Sequence, residues 1–257
     1  MTRPIARPPV RILLGLVAPV LLLLWWQAAA DSTGSAVLAA PSAVTREALA
    51  LLRDGSLLDD ALATLGRAFT GLLIGAPLGI AAGIAMGIWR PLDRVLGPLL
   101  HGLRQVPMIG WLPLVGLWFG AGEGAELIVV SLSAFFPAML NSHAGVAQVE
   151  KRYIEVGRIY GFGTLQRIRF ILLPAAMPLV LTGLTQSLAF AWIATIGAEI
   201  LTGAGGGLGV TIQLAQVQQR LDIMLVAIAV TALLGFAINQ IFQRLRRRLL
   251  RWQPSSL

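Results

Sequence analysis

Few residues of this chain could carry out chemistry at a catalytic or metal site. The 257 residues include no cysteine, which excludes disulfides, thiolate metal ligands and cysteine nucleophiles. The two histidines, His101 and His143, do not have the spacing of metal ligands. No Gly-x-Ser-x-Gly motif is present, and the glycine-rich segment 203–209 lacks the Gly-Lys-Ser/Thr ending of a phosphate-binding loop. We therefore expect no catalytic residue, no metal and no cofactor in this chain, and we interpret segment 203–209 as a tight external turn.

Two acidic residues stand out instead. Glu199 ends an apolar stretch in the run Ile-Gly-Ala-Glu-Ile-Leu, where an acid usually faces a cavity or has a charged partner. Its two interpretations are a position at the outer membrane edge and a role in a translocation path. Glu155 lies in the polar segment 141–173, and taken alone it is a solvated charge on an amphipathic helix.

The polar segment predicts two short helices joined by a turn. A helix over residues 150–160 would gather four residues on one apolar side, namely Tyr153, Val156, Ile159 and Tyr160. Gly161 and Gly163 interrupt this helix, and Thr164 can cap the next one. Pro174 lacks an N–H group and biases the preceding residue away from helix, so it predicts a turn into the following span.

The composition shows that a membrane-embedded scaffold positions these residues. Apolar residues make up 56% of the chain and charged residues only 12%, whereas a soluble domain carries roughly 25% charged residues. The net charge of +8 is spread between and beyond the apolar blocks, which is typical of membrane topology and not of a nucleic-acid interface. A chain of this length has room for about six spans of roughly 20 residues.

Six apolar blocks predict an all-α integral membrane protein. The blocks cover residues 12–26, 61–89, 106–120, 125–140, 174–201 and 223–242. The first block resembles a signal peptide, with a cleavage site at the alanines 28–30, but we favour a retained helix anchored by Trp25 and Trp26. The third block contains Pro107 and Pro113, and its roughly 15 residues reach only about 23 Å, so we expect a broken or partly buried helix.

The second block contains five glycines at intervals of four residues. These are Gly71, Gly75, Gly79, Gly83 and Gly87. Residues four apart lie on one ridge of a helix, where glycines let a neighbouring backbone approach closely. The ridge predicts ordinary helix packing, with a sliding surface in a moving pore as the alternative.

The basic residues predict the orientation in the membrane. With the N-terminus inside and six crossings, sixteen lysines and arginines, Arg104 among them, lie on the cytoplasmic side. Four lie outside, namely Arg46, Arg53, Arg67 and Arg220. Because positive residues favour the cytoplasmic side, we expect both termini inside and segment 141–173 to be a cytoplasmic loop.

The cytoplasmic loop resembles a motif of permeases from bacterial importers powered by ATP-binding cassettes. That motif is Glu-Ala-Ala, three residues, Gly, nine residues, Ile, any residue and Leu-Pro. Glu155, Gly161, Ile171 and the pair Leu173-Pro174 fall at these spacings, whereas Val156 and Gly157 replace the two alanines. The Val156 position therefore departs from the small residue of the motif.

Further short runs are similar to the sulfonate, taurine and nitrate group of these permeases. They are residues 103–107, 111–114, 117–120, 135–137, 182–184, 198–199 and 207–209. The resemblance covers about residues 60–250. It implies a permease domain over 61–250, with its coupling loop at about 150–173. An N-terminal helix and external segment over 1–60 would precede this domain, and a cytoplasmic tail over 251–257 would follow it. The resemblance implies a type I importer fold in the bacterial inner membrane.

The resemblance also implies partners and site residues. Residues Glu155, Val156, Gly157, Gly161 and Pro174 would form the coupling element that seats on an ATP-binding cassette subunit, which holds the ATP and Mg²⁺. A binding protein would deliver the substrate outside, the chain would pair as a homodimer, and Glu199, Trp192 and Gln186 are candidates for the translocation path. The solute would be a small anion, first an aliphatic sulfonate, with taurine or nitrate as alternatives. The competing class is a membrane-embedded enzyme such as an intramembrane hydrolase, which the cytoplasmic-edge positions of both histidines disfavour.

Overall fold

The computed structural model describes residues 8–33, 38–120, 122–203 and 205–250, and all regular elements in these ranges are helical. The predicted all-α class is therefore confirmed. The α-helices in chain order are α1 (Pro8–Thr33), α2 (Pro41–Arg53), α3 (Ser56–Ile88), α4 (Arg90–Leu103), α5 (Leu112–Phe119), α6 (Glu123–Ala147), α7 (Lys151–Ile159), α8 (Thr164–Arg167), α9 (Leu173–Thr202), α10 (Leu208–Val217) and α11 (Leu221–Leu249). A 3₁₀ turn, Met108–Trp111, precedes α5, and a π-helical segment, Ile168–Leu172, joins α8 to α9. The predicted tail 251–257 lies outside the described residues.

Four of the described helices are long and apolar enough to cross a membrane. They are α3, α6, α11 and the continuous helix 164–202 that combines α8, the π-helical segment and α9. The other two predicted spans correspond to shorter apolar helices, Val17–Ser32 within α1 and Met108–Phe119. Met108–Phe119 consists of the 3₁₀ turn followed by α5, so the third block is broken, as its length and prolines predict. Retention of the first helix stays a prediction.

The glycine ridge of α3 faces α6. A Cβ atom on any of its five glycines would fall closer than 3.0 Å to an atom of α6. At Gly75, Gly79 and Gly83 that atom is a backbone carbonyl oxygen, which cannot move aside unless the helix moves. The two helices therefore run parallel with their backbones in contact. A sliding role for this surface stays a prediction.

The central part of α9 completes the core on the other side of α6. The core residues of these three helices are mostly small, namely Leu72, Ala76, Val130, Ala134, Ala138, Leu188, Ala191 and Ala194. Ser187 Oγ donates a hydrogen bond of 2.6 Å to the carbonyl oxygen of Ala134, which ties α9 to α6 inside the bundle. Small side chains and one interhelical hydrogen bond are the usual basis of helix packing in a bilayer, where burial of apolar surface alone gives little driving force.

The amphipathic helix α4 lies between α3 and the broken third span. Its leucines contact Met86 of α3 together with Phe136 and Met139 of α6. The chain therefore turns back at Trp89 and follows α6 before it reaches the 3₁₀ turn.

The connection between α6 and the next long helix is shorter than the predicted loop 141–173. Helix α6 continues to Ala147, and the next long helix begins at Thr164, so residues 148–163 connect them. The predicted capping role of Thr164 is wrong, because Gly163 is the cap residue and its N–H donates a 2.9 Å hydrogen bond to Gln166 Oε1.

The predicted turn at Pro174 is also wrong. Leu173 is helical, with φ −62° and ψ −48°, and the helix continues through Pro174. Proline cannot donate to the carbonyl four residues before it. The preceding residues adopt a π-helical segment, in which the Leu173 N–H donates to Ile168 O, and this local widening accommodates the missing donor.

The polar N-terminal region contains the amphipathic helix α2. Its apolar residues Val44, Ala48 and Leu51 pack against a cluster that joins the first turns of α3 to α10 and α11. Arg220, just before α11, pairs with Glu47 of α2 at 2.9 Å.

Candidate functional site

Helix α7, in the segment predicted to be cytoplasmic, ends in a hydrogen-bonded glycine turn. Gly161 has a φ of +73°, a left-handed conformation that a residue with a Cβ rarely adopts. The Gly161 N–H donates to Arg158 O at 3.0 Å, and the Phe162 N–H donates to Gly157 O at 2.9 Å. This is the Schellman arrangement that satisfies the last carbonyls of a helix. The turn fixes the direction in which the chain leaves α7 toward the next membrane-spanning helix.

The apolar side of α7 is turned away from the rest of the chain. Its four apolar residues are strongly exposed, namely Tyr153 at 50%, Val156 at 49%, Ile159 at 83% and Tyr160 at 77%. Beside them Arg152 pairs with Glu150 at 2.5 Å, and the charge of Glu150 raises the pKa of Arg152. Such a surface, half apolar and half charged, can bind a protein groove.

The opposite side of α7 is held by Gly157. A Cβ atom at Gly157 would lie 2.5 Å from Ile171 Cδ1 in the following helix, so the small residue lets α7 lie against that helix. Glu155 is exposed and makes no hydrogen bond or ion pair with any described residue. Glu155 therefore does not brace the Gly161 turn, and its place in the coupling element stays a prediction. Pro174, the last residue of the motif, lies inside the helix that follows.

A buried ionic cluster joins the helices at the opposite end of the bundle. Arg67 of α3 contacts Glu199 of α9 at 2.7 Å and Glu126 of α6 at 3.3 Å. The exposed fraction of these side chains is 10% for Arg67, 1% for Glu126 and 0% for Glu199. Arg67 also contacts the exposed Glu123 at 3.0 Å. Because a charge inside a bilayer needs a partner, Arg67 is the residue that places a positive charge against both buried acids.

The described glycine-rich residues 205–209 close over Glu199. The Gly209 N–H and the Thr64 hydroxyl each donate to Glu199 Oε2, at 2.9 and 3.0 Å. A Cβ atom at Gly207, where φ is +143°, would lie 2.7 Å from the Glu199 carboxylate. The predicted external turn is therefore also the lid of the ionic cluster.

The three residues predicted for the translocation path do not share one site. Glu199 lies in the buried cluster. Trp192 lies against α11, because a Cβ atom at Gly235 would be 2.7 Å from Trp192 Nε1. Gln186 is exposed, and its Oε1 accepts a 2.8 Å hydrogen bond from Asn141 Nδ2. Their role in transport stays a prediction.

The histidines form no catalytic pair. His143 Nε2 lies 3.2 Å from Asp93 Oδ1, and His101, in the last turn of α4, makes no hydrogen bond or ion pair with the described residues. Across the described part of the chain, no group of three or more His, Cys, Asp or Glu side chains could hold a metal ion.

Sequence reasoning gave two arginines no role inside the bundle. Arg67 was counted outside and Arg104 on the cytoplasmic side, but Arg67 lies in the buried ionic cluster and Arg104 lines a cavity between α6 and α9. The sequence contained a signal for the role of Arg67. Arg67 lies in the second apolar block and Glu126 in the fourth, and two opposite charges in apolar helices are expected to form an ion pair. Without these two arginines, the predicted orientation still has fifteen basic residues on the inner side and three on the outer side.

Together these features define a multi-pass helical membrane protein, and its relatives are named as transport permeases and not as enzymes. Residues 75–251 match the family of binding-protein-dependent transport system inner membrane components, and the chain belongs to this family. It is 32% identical to the taurine transport system permease protein TauC of Escherichia coli K12, over 91% of this chain and 86% of that protein. It is also 32% identical to SsuC of Bacillus subtilis, which is named for aliphatic sulfonate transport, over 94% of this chain and 88% of that protein. The bicarbonate permease protein CmpB of Synechococcus elongatus is 30% identical over 77% of this chain and 71% of that protein.

Solved structures show the same fold at lower sequence identity. The inward-facing MetNI methionine ABC transporter has a TM-score of 0.58 at 21% identity, over 77% of this chain and 95% of the matched chain. An amino acid ABC transporter has a TM-score of 0.63 at 18% identity, over 80% of this chain and 98% of that chain. The chain is thus an inner-membrane permease subunit, and permeases of this family work with an ATP-binding subunit and a substrate-binding protein.

Proposed function

We propose that this permease imports a small anion, with an aliphatic sulfonate as the first candidate and taurine or nitrate as alternatives. The observation that supports a sulfonate is the 32% identity to TauC and SsuC, which extends over more than nine-tenths of this chain. Taurine is itself an aliphatic sulfonate. The bicarbonate permease CmpB, at 30% identity, is a further relative named for an anion.

Helix α7 is the proposed docking element for the ATP-binding subunit. Its exposed apolar residues would enter a groove of that subunit, and Glu155 would add a charge contact at the rim. Gly161 sets the angle of the helix through its left-handed turn, and Gly157 keeps the helix close to the helix that follows. ATP and Mg²⁺ would be bound by the partner, and closure of the ATP-binding subunits would move α7 and the helix it contacts together.

A homodimer is the proposed working state, with both termini in the cytoplasm. One chain of about six spans would enclose a poor pore, so a second copy would supply the other wall of the path. The binding protein would dock outside, on the side where the arginine distribution places the lid segment 203–209.

Uptake by the complete system tests this function. The permease would be purified with its ATP-binding subunit, reconstituted in liposomes and supplied with its binding protein. We expect ATP-dependent accumulation of a labelled alkanesulfonate or of taurine, with nitrate and bicarbonate as comparison anions. If an assembled complex accumulates none of these anions and its ATP hydrolysis does not respond to the loaded binding protein, the proposed substrate class is wrong.

A further inference from the structure

Arg104 lines a cavity at the middle of the membrane-spanning helices. The cavity has a volume of about 230 Å³, and its other lining residues include Ser133 and Pro137 of α6 and Gln186 of α9. Ser133 lies about 15 Å from the start of α6 and about 21 Å from its end, at 1.5 Å per residue. Gln186 is about 20 Å from the start of α9 and about 24 Å from its end by the same measure. The cavity that Arg104 lines is therefore far from both ends of these two helices.

Arg104 has no partner for its charge within the described chain. It makes no hydrogen bond or ion pair with any described residue, and its side chain is exposed. No aspartate or glutamate lines the cavity. An unpaired arginine that faced lipid at this depth would cost about 2.5–3.5 kcal/mol even on insertion scales. The Arg104 side chain therefore faces water or a ligand in the cavity.

The neighbouring polar group is also oriented to donate. Asn141 Nδ2 donates to Gln186 Oε1, so the Nε2 group of Gln186 keeps its hydrogens for another acceptor. The same cavity has apolar walls at Met108, Phe136 and Phe190. A cation, an amide donor and an apolar wall in one cavity match an anionic headgroup that carries a short aliphatic chain.

We propose that Arg104 and Gln186 form the anion-recognition site of the translocation path. This inference rests on the proposed function, and it deepens that function by naming the residues that select an anion. The guanidinium group presents parallel N–H donors that match two oxygens of a sulfonate, and the Gln186 amide reaches the third. In the proposed homodimer, the anion would pass between the two subunits along this site.

Cysteine substitution with charged thiol reagents tests the inference, because the natural chain contains no cysteine. In the complete complex, Arg104→Cys should lower the initial rate of sulfonate uptake by about tenfold or more, the usual effect of losing a hydrogen bond to a charged group. A methanethiosulfonate that adds a trimethylammonium group should restore a large part of the uptake. The methanethiosulfonate that adds a sulfonate group should not restore the uptake. Arg104→Lys should keep more uptake than Arg104→Gln, and Gln186→Leu should raise the sulfonate concentration needed for half-maximal uptake.

Arg94→Cys is the matched control, because Arg94 is an exposed arginine on the same helix, α4, near its cytoplasmic beginning. It should keep wild-type uptake before and after either reagent. Restoration of Arg104→Cys by both reagents alike, or wild-type uptake by Arg104→Gln, would overturn the proposal. So would loss of assembly in both Arg104→Lys and Arg104→Gln, since this would make the residue structural. If the wild-type complex itself imports no anion, the proposed function fails instead, and the two failures are thereby distinguished.

Discussion

Replacing Arg67 by methionine should destabilise the permease more than any exposed charge substitution. The methionine side chain keeps most of the buried aliphatic volume but removes the cation between Glu126 and Glu199. Both carboxylates then stay buried, at 1% and 0% exposure, without their ion-pair partner. The glycine lid over Glu199 supplies hydrogen bonds but no positive charge.

The size of the effect follows from the geometry. Two charges about 4 Å apart interact by about 4 kcal/mol at an effective dielectric constant of about 20, and removing one partner of a buried pair costs about 3–5 kcal/mol. For a chain of this length, 1 kcal/mol corresponds to about 2–4 °C in Tm, so Arg67→Met should lower Tm by roughly 6–20 °C. Adding Glu199→Gln should recover part of this loss, because one of the two orphaned charges is removed.

Thermal unfolding of the detergent-purified permease, followed by size-exclusion chromatography, measures the shift. The matched control is Arg220→Met, since Arg220 contacts Glu47 at 2.9 Å and Asp222 at 2.8 Å with 43% of its side chain exposed. Those acids raise the pKa of Arg220, but exposed pairs are worth only about 0.2–1 kcal/mol. The reasoning is refuted if Arg67→Met melts within about 2 °C of the wild type, or if it is no less stable than Arg220→Met.

Three further predictions follow from other parts of the molecule. Gly161→Val should abolish uptake while the protein still inserts in the membrane, because the left-handed turn costs a residue with a Cβ about 1–2 kcal/mol and the substitution reorients α7. Glu155→Lys should weaken co-purification with the ATP-binding subunit. Wild-type association and wild-type stimulated ATP hydrolysis in both variants would contradict the docking role of α7. Gly79→Leu should reduce assembly more than Gly79→Ala, since the larger side chain forces α3 further from α6. The control Gly66→Ala should be neutral, because a Cβ atom there meets nothing within 4 Å. Equal assembly of the two Gly79 variants would show that the two helices separate freely. N-terminal sequencing of the mature protein should find the first helix retained, and a mature chain beginning near Asp31 would show cleavage.

The parts of the site that sequence reasoning found are local ones. The motif spacing located α7 and the Gly161 turn, because a helix, its exposed apolar side and a glycine end are encoded within about ten neighbouring residues. The same reasoning gave the wrong local structure at Pro174. A proline stops a helix when water can hydrogen-bond to the carbonyl that the proline leaves free. Inside a long apolar helix, a π-helical segment has a lower free energy than an open turn.

The sequence by itself determined the all-helical class, the apolar helices, the broken third span and the five-glycine ridge. Each of these follows from the length of an apolar block, the prolines it contains or the helical repeat of four, which are properties of one segment at a time. Tertiary structure alone decided that Arg67 meets Glu199, 132 residues further along the chain, and that Arg104 reaches the middle of the bundle. A charge in an apolar segment requires a partner or water, but only the packing of the helices decides which of the two it finds.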